Sequence, residues 1–172
     1  MNLKYLLASA LLGGLACFIW GAVYHAGIGI DARTMTQFDD GRAVSEFIRS
    51  HSSGNGMYYS KEGVLAAVNM TQDMSDRSLN MGPQLGKQYV INAVTAGLLA
   101  WLLLFTPIRT SLGAGGLFAL AGLAAGINSW FSAWNWYNHS MSFTVAAVIG
   151  DVVCFFVAGL VIGWLRRKLA TA

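Results

Sequence analysis

Four stretches of the chain hold enough consecutive apolar residues to cross a bilayer, and one long segment between the first and second holds none. The stretches run from Tyr5 to Ile28, from Tyr89 to Phe105, from Leu112 to Trp134 and from Ser142 to Trp164. A helix rising about 1.5 Å per residue needs about 20 predominantly apolar residues to cover roughly 30 Å of hydrocarbon, so each stretch predicts a transmembrane helix. The segment from Ile30 to Lys87 carries shorter patterns. Ala43, Val44, Phe47 and Ile48 fall on one helical face, with Asp39 or Asp40 placed to cap that helix. Ser52-Ser53-Gly54-Asn55-Gly56 breaks it. Met57-Tyr58-Tyr59 and Val64-Leu65-Ala66-Ala67-Val68 have strand length, with Lys61-Glu62-Gly63 as the turn between them. The expected fold is all-α transmembrane. It is a four-helix membrane bundle (5–28, 89–105, 112–134 and 142–164) with a small α+β extracytoplasmic loop domain (29–88) and a basic tail (165–172).

Composition agrees with the pattern: of 172 residues, 55% are hydrophobic and only 11% charged, a balance that departs from soluble domains. The net charge of +3 invites a nucleic-acid partner, but the basic residues form no patch interleaved with aromatics. Their distribution speaks of topology instead. Lys4, Arg109, Arg166, Arg167 and Lys168 lie in short segments beside span ends on one side of the four-span arrangement, with no acidic residue among them. The positive-inside rule makes that side cytoplasmic. The six basic residues of the long loop are offset by seven acidic ones, which places the loop outside. The first apolar run is too long for a signal-peptide core and lacks a small-x-small cleavage site, so an uncleaved anchor is expected.

Trp130, Trp134, Trp136 and Tyr137 cluster at the end of the third span. Indole and phenol rings favour the headgroup level, where an apolar ring and a polar N–H or O–H are both accommodated, so this cluster marks the outer interface. Pro107 ends the second span, and the short link to Ser111 makes spans two and three antiparallel neighbours.

Small residues mark where helices approach closely in lipid, since no hydrophobic drive pulls them together there. Gly122-Leu-Ala-Ala-Gly126 and Gly159-Leu-Val-Ile-Gly163 are both GxxxG sequences, and Gly14 with Ala10 makes a similar notch. Packing within the bundle and docking of a partner subunit both use such faces. Asp151 is the only acidic residue inside a span, nine residues from Ser142. Burying its charge there costs at least roughly 2.5–3.5 kcal/mol, so it calls for a partner, and Asn128 lies at a comparable depth. The pair reads either as a hydrogen bond between helices or as a site for proton transfer or ion coordination.

Cys17 and Cys154 each sit inside an apolar run and read as packing residues rather than as a disulfide framework or a CxxC metal site. Met70 and Met74, with other methionines and histidines of the outer side, offer soft ligands suited to Cu(I). Methionine is equally a core filler, and no metal site is assigned. No P-loop, dinucleotide-binding fingerprint, G-x-S-x-G elbow or H-E-x-x-H is present. No catalytic residue is assigned, an enzyme is disfavoured, and any cofactor is left open.

Trp134-Asn135-Trp136-Tyr137, then Ser142-Phe143-Thr144, then an apolar helix ending Val157-Ala158-Gly159-Leu160-Val161, together with Phe18-Ile19-Trp20-Gly21 and Gly56-Met57-Tyr58-Tyr59, resemble a group of small uncharacterised bacterial four-helix integral membrane proteins. The resemblance implies a bacterial cytoplasmic membrane and an extracytoplasmic loop domain, and it implies no activity. The leading functional expectation is a noncatalytic accessory, assembly or stabilising subunit of a larger membrane complex, with the bilayer and other integral membrane subunits as partners and no nucleic acid. Two readings stand beside it: a small transporter or proton-coupled factor using Asp151, and an extracytoplasmic metal or ligand binder using the Met/His-rich loop.

Overall fold

Asn2 opens the first helix by accepting a hydrogen bond from the Tyr5 backbone N–H at 3.2 Å, which satisfies one of the donors a helix start leaves bare. In the computed structural model, which describes residues 2–68 and 81–169 apart from the side chains of residues 31 and 32, this helix (α1) spans Leu3–Ala22 and continues through a π-helical turn at Val23–Gly27. A short helix follows at Ile30–Thr34 (α2), then a helix at Gly41–Ser50 (α3) and strands at Gly56–Tyr59 (β1) and Leu65–Val68 (β2). The second long helix is Gly82–Leu104 (α4). The third runs from Ser111 to Gly126 (α5), through a π-helical turn at Ile127–Phe131, into Ser132–Tyr137 (α6). The last is Met141–Leu169 (α7).

Four continuous helical runs of 25, 23, 27 and 29 residues are therefore long and apolar enough to cross a membrane. At the helical rise they cover roughly 35 to 44 Å, more than a hydrocarbon core requires. Two ends reach beyond the apolar runs. Helix α4 starts at Gly82 rather than Tyr89, because Pro83 suits a first helical turn and Gln84 to Gln88 includes good helix formers that hydropathy does not register. Helix α7 carries residues 165–169 as helix where a tail was expected, with Arg166 buried in it.

Thr110 caps α5 by accepting from the Gly113 N–H at 3.1 Å, and Ser140 caps α7 by accepting from the Phe143 N–H at 3.2 Å. Between α6 and α7 the chain turns at Asn138, whose φ of 54° is left-handed, a conformation Asn adopts more readily than most residues. Helix α7 packs against both α1 and α5, and α1 also packs against α4. The core contains Tyr5, Ala100, Leu103, Phe118 and Ile162, all fully or nearly fully buried. On the opposite face of α1, Leu3, Leu7, Leu11, Leu15, Ile19 and Val23 recur every fourth residue and are exposed, an apolar stripe of the kind that meets hydrocarbon.

The unit Thr36–Gln84 is separate from the one that carries the long helices. Asp40 caps α3, accepting from the Ala43 N–H at 2.9 Å. Strands β1 and β2 pair antiparallel with Met57 opposite Ala67 and Tyr59 opposite Leu65. Gly63, with φ of 96°, supplies the left-handed residue in the turn between them. Among the described residues of this unit none is buried. Residues 69–80, and with them Met70 and Met74, lie outside the described residues.

Candidate functional site

The glycines meet other helices of the same chain. A methyl group at Gly159 would stand 2.7 Å from the Ala114 carbonyl oxygen and from Gly115 Cα, and at Gly163 it would stand 2.7 Å from Ser111 Cα. At Gly122 it would meet the Asp151 carbonyl oxygen at 2.9 Å, and at Gly14 the Ala93 Cα at 2.6 Å. Gly126 has its nearest neighbours at 3.4 Å, among them the Asp151 carboxyl oxygen Oδ2. Of the two uses open to these small faces, packing within the bundle is the one all five residues make here.

Asp151 lies about 15 Å along α7 from its start, taking the helical rise over ten residues. Its partner is Trp130, whose indole Nε1 donates to Oδ2 at 2.7 Å. Asn128 is exposed and makes no such bond. Gly122, Gly126 and Trp130 follow one another at four-residue spacing, so Trp130 continues the face that meets α7. Asn128, two residues from Gly126, falls on the far side, and Trp134, Trp136 and Tyr137 form the exposed rim. The absence of a side chain at Gly126 leaves room for the carboxyl group. Phe143 packs edge-on against the Trp130 ring with centroids 5.7 Å apart, and His139 packs edge-on against Phe143 at 5.5 Å.

A second feature runs along the antiparallel α1–α7 seam. Cys17 Sγ donates to the Cys154 carbonyl at 3.5 Å, Trp20 Nε1 to the Gly150 carbonyl at 3.0 Å, and the Tyr24 hydroxyl to the Ala146 carbonyl. At the far end of the same seam, the Asn2 side-chain amide donates to the Leu169 carbonyl. Spacings of three and four residues on α1 thus meet carbonyls four residues apart on α7, so side-chain donors fasten two helices whose backbone bonds are already made. Gly150 lets the Tyr24 ring lie against α7, since a methyl group there would come within 2.8 Å of that ring. The spacing of Cys17, Trp20 and Tyr24 is visible in the sequence, but only the register of α1 on α7 turns it into a ladder.

The third feature is Arg166, 2% exposed. Its Nη1 donates to the carbonyls of Leu103 at 2.6 Å and Ile108 at 2.7 Å, and its Nη2 donates to that of Thr106 at 3.1 Å. The guanidinium fork thereby closes the α4–α5 turn over the C-terminal end of α4, where carbonyls lack helical partners and the helix dipole favours a cation.

Asp151 is the one carboxyl group of these three features, and it lies beside a space left open by Gly126. Among the described residues, no group of three or more His, Cys, Asp or Glu side chains is arranged to hold a metal ion. Comparison of the chain with protein families, with curated proteins and with solved structures finds no match.

Proposed function

We propose that the chain is a multi-pass protein of the bacterial cytoplasmic membrane, with both termini cytoplasmic and residues 29–88 outside, and that it is a noncatalytic accessory, assembly or stabilising subunit of a larger membrane complex. The charge asymmetry and the aromatic rim support the orientation, and the resemblance supports the bacterial membrane. The small-residue faces no longer argue for a partner, since the bundle itself uses them. The observation that carries the reading is the loop unit. None of its described residues is buried, while Phe38, Phe47 and Tyr59 stand 69%, 65% and 81% exposed. Apolar surface of this kind outside the spans suits contact with another subunit.

Mild detergent extraction from native membranes, followed by identification of the chains that copurify, tests this. A stoichiometric membrane partner is expected, and Phe38→Asp with Phe47→Asp is expected to release it while the helical bundle keeps its thermal stability. A monodisperse chain with no partner overturns the reading.

The hydrogen bond from Trp130 to Asp151 favours a second reading, a small transporter or proton-coupled factor. A carboxyl group at mid-span that keeps a single strong donor can take up and release a proton without dismantling a network. In proteoliposomes loaded with a pH-sensitive dye, Asp151→Asn is expected to abolish proton flux, because the amide cannot carry the proton. Flux equal to that of the native protein removes this reading and leaves the subunit role standing.

A further inference from the structure

Cys17 and Cys154 are separated by 137 residues, yet they share one level of the α1–α7 seam. Cys17 is 5% exposed and Cys154 is partly exposed on the bundle surface. The helices are drawn together on either side of this level. Toward one end Gly13 lies under Ile162, and toward the other Gly150 lies under Tyr24. A disulfide needs its two Cβ atoms about 3.5–4.5 Å apart, and close approach of this kind is what small flanking residues permit. The two cysteines of the chain therefore meet at one level of the seam.

We propose that Cys17 and Cys154 are a redox-active dithiol that closes to an intramolecular disulfide between α1 and α7, with a lipid-soluble quinone as the oxidant. The pair lies well inside two apolar helices, where water-soluble thiol–disulfide couples have no path, so the electron acceptor has to enter from hydrocarbon. The partly exposed Cys154 is the sulfur it reaches. Two S–H bonds break and one S–S bond forms. The two electrons and two protons reduce the quinone to its quinol.

The test uses the full chain in lipid nanodiscs, first reduced and then exposed to a fully ring-substituted quinone analogue, which resists direct addition of thiols. After denaturation, free thiols are counted by the gel shift of a maleimide-linked polymer. The reduced protein is expected to take two labels and the quinone-treated monomer none, with one quinol formed per chain and both labels restored by dithiothreitol. Cys17→Ser and Cys154→Ser are each expected to keep their one label under both conditions. Disulfide formation with diamide but not with the quinone overturns the assigned oxidant. Two labels retained under both reagents, or a disulfide-linked dimer in place of the monomer, overturns the dithiol.

Discussion

Arg166→Met is expected to lower the stability of the bundle by about 3 kcal/mol, the scale of leaving buried backbone acceptors without a donor. The loss has a definite source. The carbonyls of Leu103, Thr106 and Ile108 all accept from this one guanidinium, and methionine fills the stem's volume while leaving them without a donor. Each hydrogen bond to a charged group contributes roughly 1.5–3 kcal/mol, but the three share one side chain and do not add. Arg166 Nε is itself buried without a partner among the described residues, so the native arrangement already carries a cost that methionine removes, and this keeps the estimate low. Arg166→Lys is expected to recover about half, because an ammonium on a flexible stem cannot present a planar fork to three carbonyls. Arg167→Ala, next in sequence but exposed, is expected to change stability by less than about 0.5 kcal/mol. Unfolding of the purified chain in mixed SDS micelles, followed by circular dichroism, separates the three. An Arg166→Met protein as stable as the native one would show that the turn is held by something else.

Arg166 also marks a boundary of what the sequence makes legible. Three adjacent cations after Trp164 read as the inner end of a span, and charge alone says no more. Helical phase says which of them turns inward: Gly159, Ile162, Gly163 and Arg166 follow one another at spacings of three, one and three, and all four are buried. That signal was present and went unused, because a basic residue at a span end is ordinarily read as interfacial. The four long helices were legible because an apolar run of span length has few alternatives. The strands and α3 were legible from local spacing and turn chemistry. The Asp151 partner follows the same logic: Trp130 lies four residues beyond Gly126 and eight beyond Gly122, on the face that meets α7, while Asn128 is two residues from Gly126 and falls on the far side. The meeting of Cys17 with Cys154 was hidden, since it depends on how the first and last helices register, and no local pattern encodes the register of helices so far apart in sequence.

Gly159→Ala is expected to destabilise the bundle by at least about 2 kcal/mol, whereas Gly116→Ala on the facing helix should be neutral or stabilise by up to about 1 kcal/mol. The contrast isolates the role of the small-residue faces. At Gly159 the new methyl group would stand 2.7 Å from backbone atoms of Ala114 and Gly115, and backbone cannot swing aside as a side chain does. The α5–α7 contact has to open along its length, which puts the loss in the upper part of the roughly 1–3 kcal/mol typical of overpacking, or above it. At Gly116 nothing lies within 4 Å, so alanine meets open space and contributes only its higher helix propensity. The same pair of variants distinguishes the two uses of GxxxG faces. If Gly159 served a docked subunit, the isolated chain would melt normally as Gly159→Ala and only the complex would be weakened. A lowered midpoint in the purified, partner-free chain, beside an unchanged or raised one for Gly116→Ala, is the result expected of a face used within the bundle, where it brings α7 close enough to α5 for Trp130 to reach Asp151.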